Sequence, residues 1–157
     1  MAAQLSATID VMTTANLQTT VERLALLRQM ELANPCGYGF RFYLDKAIGS
    51  RRYYEGALPT NWQSTPKKLR RLIPQSAGVV ELVKSGHSDI ELGKKIITEH
   101  WNTMRVIREL VMAEKYEEAI AAYDVRFVTK DEDAKLKAAE QAGAVNGERY
   151  AVAGVMF

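Results

Sequence analysis

The sequence predicts a mainly α-helical protein, folded as a single compact multi-helix domain over residues 1–157, with a small two-stranded β element at the C-terminus. Three observations carry that expectation. Apolar residues recur every three or four positions through long stretches, the period of a helix with one buried face. A chain of 157 residues that is 47% apolar and 25% charged has the size and composition of one globular domain with a buried core. β-like composition in the C-terminal third is limited to two short runs, VRFV and RYAVAGVMF.

Taken in order, residues 1–13 are weakly patterned and read as a flexible arm. From Thr14 the positions Leu17, Val21, Leu24, Leu27 and Met30 form one apolar stripe of a helix. Asn34-Pro35 ends it, because the residue before proline disfavours helical angles. The aromatic–basic stretch 37–62 lacks a clean period: Phe40, Phe42 and Leu44 alternate with Arg41 and Tyr43, which fits a short strand or the first turn of a helix through Asp45 and Ile48, and helix followed by loop is the expectation. Thr65 and Pro66 form a helix start, with Thr65 as cap and Pro66 in the first turn, leading into the basic run KKLRRLI until Pro74. Residues 75–123 are helical in pattern, with breaks at Ser85-Gly86 and near residues 97–100. After Asp124, VRFV is strand-like, DEDAKLKAAEQAGA is a short helix stopped at Gly143, and Asn146-Gly147 is a turn leading to RYAVAGVMF. VRFV and YAVAGVMF are expected to pair as the C-terminal sheet.

Charge is unevenly distributed. Residues 41–108 carry thirteen Lys or Arg against six Asp or Glu, whereas residues 109–157 carry six against ten. A basic block flanked by neutral and acidic segments is the trace that a polyanion-binding surface leaves in a sequence. A solvated face that folding mixes with acidic residues leaves the same trace.

Catalytic signatures are lacking. His87 and His100 stand thirteen residues apart without Cys or acidic neighbours at metal-ligand spacing. Gly37 and Gly39 have no third glycine at dinucleotide-loop spacing, and no phosphate-loop, nucleophile-elbow or zinc-protease motif occurs. The single cysteine, Cys36, excludes an internal disulfide and has no base near it in sequence. The expectation is a non-enzyme with no catalytic residue, cofactor or metal. No stretch is apolar enough for a membrane helix and no secretory leader is visible, so a cytoplasmic protein without membrane association is expected.

One segment points to a partner. In residues 79–110, VVELVKSGHSDIELGKKIITEHWNTMRVIREL, an apolar helix ends at Ser85-Gly86. Ser88 or Asp89 caps a short second helix through Leu92 and Ile96, and a third helix starts near Asn102-Thr103 with Met104, Ile107 and Val111 on one face. This segment resembles the helix-turn-helix of DNA-binding recombinases, transposases and response regulators, at Gly86, Ser88, Glu91, Leu92, Gly93, Ile96, Thr103 and Met104. It departs from that pattern in having Gly93 where alanine is usual and one extra residue between Gly93 and Thr103. The resemblance implies double-stranded DNA as partner, read by Asn102, Thr103, Arg105 and Arg108 at the third helix. Phosphate contacts would come from Lys94 and Lys95, with more from Lys67, Lys68, Arg70 and Arg71. Helix-turn-helix proteins commonly act as pairs, so a homodimer is compatible with this reading.

The alternative is a non-enzymatic adaptor or inhibitor docking on a protein partner, through the aromatic–basic stretch 37–62 or the acidic C-terminal region. Residues 106–123 also resemble one tetratricopeptide helix pair, with Tyr116, Ala119, Ile120 and Tyr123 at its packing positions. Trp101 is expected to be a core anchor.

Overall fold

The computed structural model describes residues 14–52 and 61–157. The arm expected over 1–13 and positions 53–60 of the aromatic–basic stretch lie outside the described residues. Helices dominate, and the strands form one small sheet. The chain divides into two compact units: Met1–Leu58 with Asn102–Asp124, and Pro59–Trp101 with Val125–Phe157. Each is built from two separated stretches, so no linker composition in the sequence marks the division.

The first unit contains helices α1 (Thr14–Ala33), α2 (Tyr38–Arg52), α6 (Met104–Met112) and α7 (Tyr116–Ala122). On α2 the residues Phe40, Leu44, Ala47 and Ile48 are buried, a helical spacing that resolves the stretch from Tyr38 as helix rather than strand. Ile107 and Val111 are the buried face of α6, and Ala119 to Tyr123 are buried at α7. The Tyr123 hydroxyl donates to the Asp45 carboxylate.

Helix α1 departs from the expected stripe. Leu24 is fully buried, but Leu17, Val21 and Leu27 are half-buried and Met30 is 58% exposed. Thr20 and Glu31 are buried instead. Local hydrogen bonds make that tolerable: the Thr20 hydroxyl donates back to the Asn16 carbonyl (2.7 Å), and the Glu31 carboxylate accepts from the Cys36 N–H (3.0 Å). The buried line of α1 is therefore rotated away from its most apolar one.

The corner between α6 and α7 turns on Glu114, whose φ of 61° is left-handed. The Lys115 N–H reaches back to the Leu110 carbonyl at 2.9 Å, the closure of a helix C-terminal motif that usually employs glycine. Arg28 donates to the Met112 carbonyl (3.0 Å), placing a cation at the negative end of α6.

The second unit contains α3 (Lys67–Arg70), α4 (Ala77–Lys84), α5 (Asp89–Lys95), β1 (Ile96–His100), β2 (Val125–Thr129), α8 (Lys130–Gln141) and α9 (Glu148–Ala153). Strands β1 and β2 are antiparallel, with Ile96 opposite Thr129 and His100 opposite Val125. Gln75 adds a single parallel bridge to Phe127, secured by Ser76 N–H to the Phe127 carbonyl (3.0 Å) and Phe127 N–H to the Pro74 carbonyl (2.9 Å).

The small sheet is present, but the strand expected at YAVAGVMF is not. VRFV pairs with IITEH, and Glu148–Ala153 is helical. The β-branched run Ile96-Ile97-Thr98 favours a strand at the place expected to be only a break between helices. Helix α9 brings Tyr150 and Val155 into a cluster with Val128 and Leu136. Trp101 packs against that cluster, as expected of a core anchor, and stacks on Tyr150 with ring centroids 4.4 Å apart. Gly147 belongs to this packing: a Cβ there would lie 2.4 Å from the Trp101 indole nitrogen.

Candidate nucleic-acid interface

The helix pair α4–α5 is set by two caps and one glycine. The Ser76 hydroxyl accepts from the Val79 N–H at the start of α4. Helix α4 stops at Ser85, and Gly86 follows with φ +80°. Ser88 then opens α5 with a reciprocal capping box: its hydroxyl accepts from the Glu91 N–H, and the Glu91 carboxylate accepts from the Ser88 N–H (2.8 Å). The Ser88 N–H bond holds the Glu91 carboxyl below its ordinary range. Four residues, Ser85 to Ser88, thus join the helices, the length of a helix-turn-helix connection. Leu92 is the inward anchor of α5, while Ile90 (59% exposed), Lys94 and Lys95 face outward. Gly93 stands where the resembled pattern has alanine. A Cβ there would press on the Gln63 side chain at 3.2 Å, so the missing methyl leaves room for Gln63.

The third helix begins where expected, with Thr103 as its N-cap residue, but it does not follow α5 by a turn. Strand β1 starts at Ile96 directly after α5, and α6 belongs to the first unit. Of the residues expected to read bases, the Asn102 amide donates to the Ala122 carbonyl at 2.9 Å, closing the 102–124 stretch on itself. The Thr103 carbonyl accepts from the Val106 and Ile107 amides. Arg105 is 73% exposed and pairs with Glu109 one turn along the same helix (3.2 Å). The Arg108 guanidinium is half-buried, 6.0 Å from the centre of the Phe40 ring.

The expected phosphate contacts separate by environment. Lys67, Arg71, Lys94 and Lys95 are exposed, and Lys68 falls within α3. Arg70 differs from the other five. It is 8% exposed, donates to the Trp62 carbonyl (3.0 Å), pairs with Asp89 (3.2 Å) and lies 4.6 Å over the Trp62 ring. Those contacts tie α3 to the start of α5. Lys130 was not expected: it lines a shallow depression of about 470 Å³ together with Lys95, Thr129 and Asp131. Its position follows from a legible capping box, Thr129 to Glu132, that starts α8 immediately after β2.

No family model, curated protein or solved structure matches this chain.

The second unit carries twelve Lys or Arg against nine Asp or Glu, a net +3; the first carries nine against ten, a net −1. The four expected base readers thus lie in the unit of net negative charge, and the six expected phosphate contacts in the positive one. Among the described residues no three His, Cys, Asp or Glu side chains gather as a metal site, and no helix is long and apolar enough to cross a membrane.

The first unit offers a different kind of surface. Leu26, Met30, Leu32, Phe42 and Tyr43 are all more than half exposed. Met30 and Tyr43 line a cleft of about 260 Å³ between α1 and α2, and the Phe42 and Tyr43 rings meet edge to face at 5.9 Å.

Proposed function

We propose that the protein binds double-stranded DNA through its second unit, with α5 as the helix presented to the major groove and α4 crossing the backbone behind it. The observation that carries this reading is the α4–turn–α5 pair: two capped helices, a four-residue connection and a left-handed glycine in it. The reading departs from the resemblance in assigning the groove to α5 rather than to α6.

Seven residues give α5 a length of roughly 10 Å, enough to span about three base pairs at 3.4 Å each. Its outward ridge is Ile90 and Lys94, one turn apart. An apolar side chain there suits a thymine methyl group, and the lysine suits phosphate. The acidic residues in the first turn of α5 have roles inside the unit, Asp89 with Arg70 and Glu91 in the capping box. Lys94, Lys95 and Lys130, with Lys67 and Arg71, supply the phosphate contacts.

Fluorescence anisotropy of labelled duplexes across a salt series tests this. Five phosphate contacts give a slope of log K against log salt near −4.5, and each cation removed flattens it by about 0.9. Lys94→Ala with Lys95→Ala should flatten the slope by about 1.8, while Arg105→Ala with Arg108→Ala leaves it unchanged. Absence of binding at low salt on any duplex, or the opposite pattern between the two double variants, rejects the assignment.

A second reading, docking on a protein partner, is favoured by the exposed apolar residues of α1 and α2. It expects one stoichiometric partner that survives nuclease treatment and is lost on Met30→Glu with Tyr43→Glu. A partner retained by that variant removes this face from consideration.

A further inference from the structure

Strand β1 and helix α8 meet at two carboxyl groups that DNA binding does not use. The Glu99 side chain on β1 is 22% exposed, and the Asp133 side chain on α8 is 8% exposed. The two carboxyls lie in hydrogen-bond contact. An ionised carboxylate only accepts, so a hydrogen bond between two carboxyls needs a proton on one of them. The neighbours indicate which. Lys137, one turn along α8, pairs with Asp133 at 2.7 Å. Glu99 has no cation so near: Arg149 on α9 stands 3.6 Å from its Oε1 and is shared with Glu140 of α8 at 3.7 Å. Arg149 also donates to the Asn146 and His100 carbonyls. The His100 N–H goes to the same Oε1 of Glu99, at 3.2 Å, which leaves Oε2 to carry the proton. Arg126, directly across from Glu99 on β2, holds its guanidinium 3.8 Å from the centre of the Trp101 ring.

From this geometry we propose that Glu99 and Asp133 share one proton, and that this proton latches α8 to β1, so that raising the pH loosens the second unit. With the proton in place, the Glu99 hydroxyl donates to the Asp133 carboxylate. Once the proton has passed to solvent, two carboxylates face each other, neither able to donate, and like charges so close repel. Burial is the main cause that pushes the Glu99 carboxyl above its ordinary value. Arg149 and then His100 pull against it, and the bond to Asp133 adds to the rise. A proton held by a raised carboxyl stabilises the fold fully below the unfolded carboxyl range. That stability is lost as pH rises through the folded midpoint. The latch lies within the second unit and stands or falls independently of DNA binding.

Carbon NMR of the side-chain carboxyls, followed through a pH titration of the unaltered full chain, reads the shared proton directly. Glu99 should titrate above the ordinary glutamate value of about 4.3, in a step that the Asp133 carbon senses too. Glu99→Gln keeps an oxygen for the His100 N–H and offers an amide to Asp133 at every pH. Urea unfolding followed by tryptophan fluorescence should show the unaltered chain weakening relative to that variant between pH 5 and pH 8. The ratio of their unfolding constants should change about tenfold for each pH unit between the folded and unfolded Glu99 midpoints. Taking the ratio cancels His87 and the other groups common to both proteins. Amides of α8 should exchange faster in the unaltered chain than in the variant at pH 8, and more nearly alike at pH 5. The proposal is overturned by a Glu99 midpoint at or below about 4.3, by independent steps at the two carboxyls, or by parallel pH dependence of chain and variant. Should Glu99→Gln fail to fold, the carboxyl titration decides alone, because it uses the unaltered chain.

Discussion

Arg149→Met should destabilise the second unit strongly, and more at neutral than at acidic pH. The Arg149 side chain is 4% exposed, and it ion-pairs with Glu99 at 3.6 Å and Glu140 at 3.7 Å. It also donates to the His100 carbonyl at 2.7 Å and the Asn146 carbonyl at 3.0 Å. Methionine fills a similar volume but leaves the mostly buried Glu99 without its cation. Removing one partner of a buried pair costs about 3–5 kcal/mol, of which unsatisfied carbonyls contribute a part. Burial already pushes the Glu99 carboxyl above its ordinary value, with the nearby Asp133 carboxyl adding to the rise and Arg149 pulling against it. A carboxyl raised on folding contributes stability that is fully present below its unfolded pKa and is lost as pH rises through the folded one. Taking Arg149 away raises it further, so the variant loses more at pH 7.5 than at pH 5. Urea unfolding followed by tryptophan fluorescence reports this unit, because Trp62 and Trp101 both belong to it. A loss below about 1 kcal/mol, or a loss equal at both pH values, would refute the buried-charge reasoning.

Gly147→Ala should cost the same unit about 1–3 kcal/mol, because the new methyl meets the Trp101 indole at 2.4 Å while that ring is held against Tyr150; a midpoint shift in the same urea assay measures it. Glu114→Gly should stabilise the first unit by on the order of 0.5–1 kcal/mol, since glycine takes a φ of 61° without strain and the exposed pair with Arg28 at 3.6 Å contributes little; amide exchange of α6 and α7 would slow, and faster exchange would contradict this. Arg70→Ala should lower stability by about 2–3 kcal/mol through the emptied contacts to Trp62 and Asp89 while leaving the salt slope of any DNA binding unchanged; a flattened slope would restore Arg70 to the phosphate set.

What the sequence disclosed were the local signals. The cap at Ser88, the helix end at Ser85-Gly86 and the start of the helix after Asn102-Thr103 depend on a few neighbouring residues, and each is found where the sequence placed it. The misplaced features are those decided at long range. YAVAGVMF has strand composition, but β2 found its partner in Ile96–His100 instead, and Tyr150 was drawn into a cluster with Val128 and Leu136. On α1, the buried Glu31 carboxylate accepts a hydrogen bond from the Cys36 amide, five residues on, and hydrophobic periodicity carries no trace of that bond. Arg70 looked like one of four equivalent cations. Its tie to Asp89, nineteen positions away, separates it from them, and neither its neighbours nor its spacing reveals the pairing.

The assignment of DNA binding to α5 rather than α6 can be tested by removing α6 altogether. His100 and Val125 are paired across the sheet, so the ends of β1 and β2 are close enough for a short hairpin. Replacing residues 102–123 with Asn-Gly in a chain of residues 59–157 leaves a four-residue loop in place of 24 residues. Shortening the loop sixfold lowers its closure cost by about 1.6 kcal/mol. That gain matters, because the remaining chain of roughly 80 residues has a core of marginal size. Circular dichroism should show a folded protein that retains the α4–α5 pair, and its duplex affinity and salt slope should match those of the full chain. A folded product that no longer binds duplex would mean that the first unit, with Arg105 and Arg108, is required. The α4–turn–α5 pair would then be a structural corner, and the cations of α6 would regain the role that the resemblance assigned them.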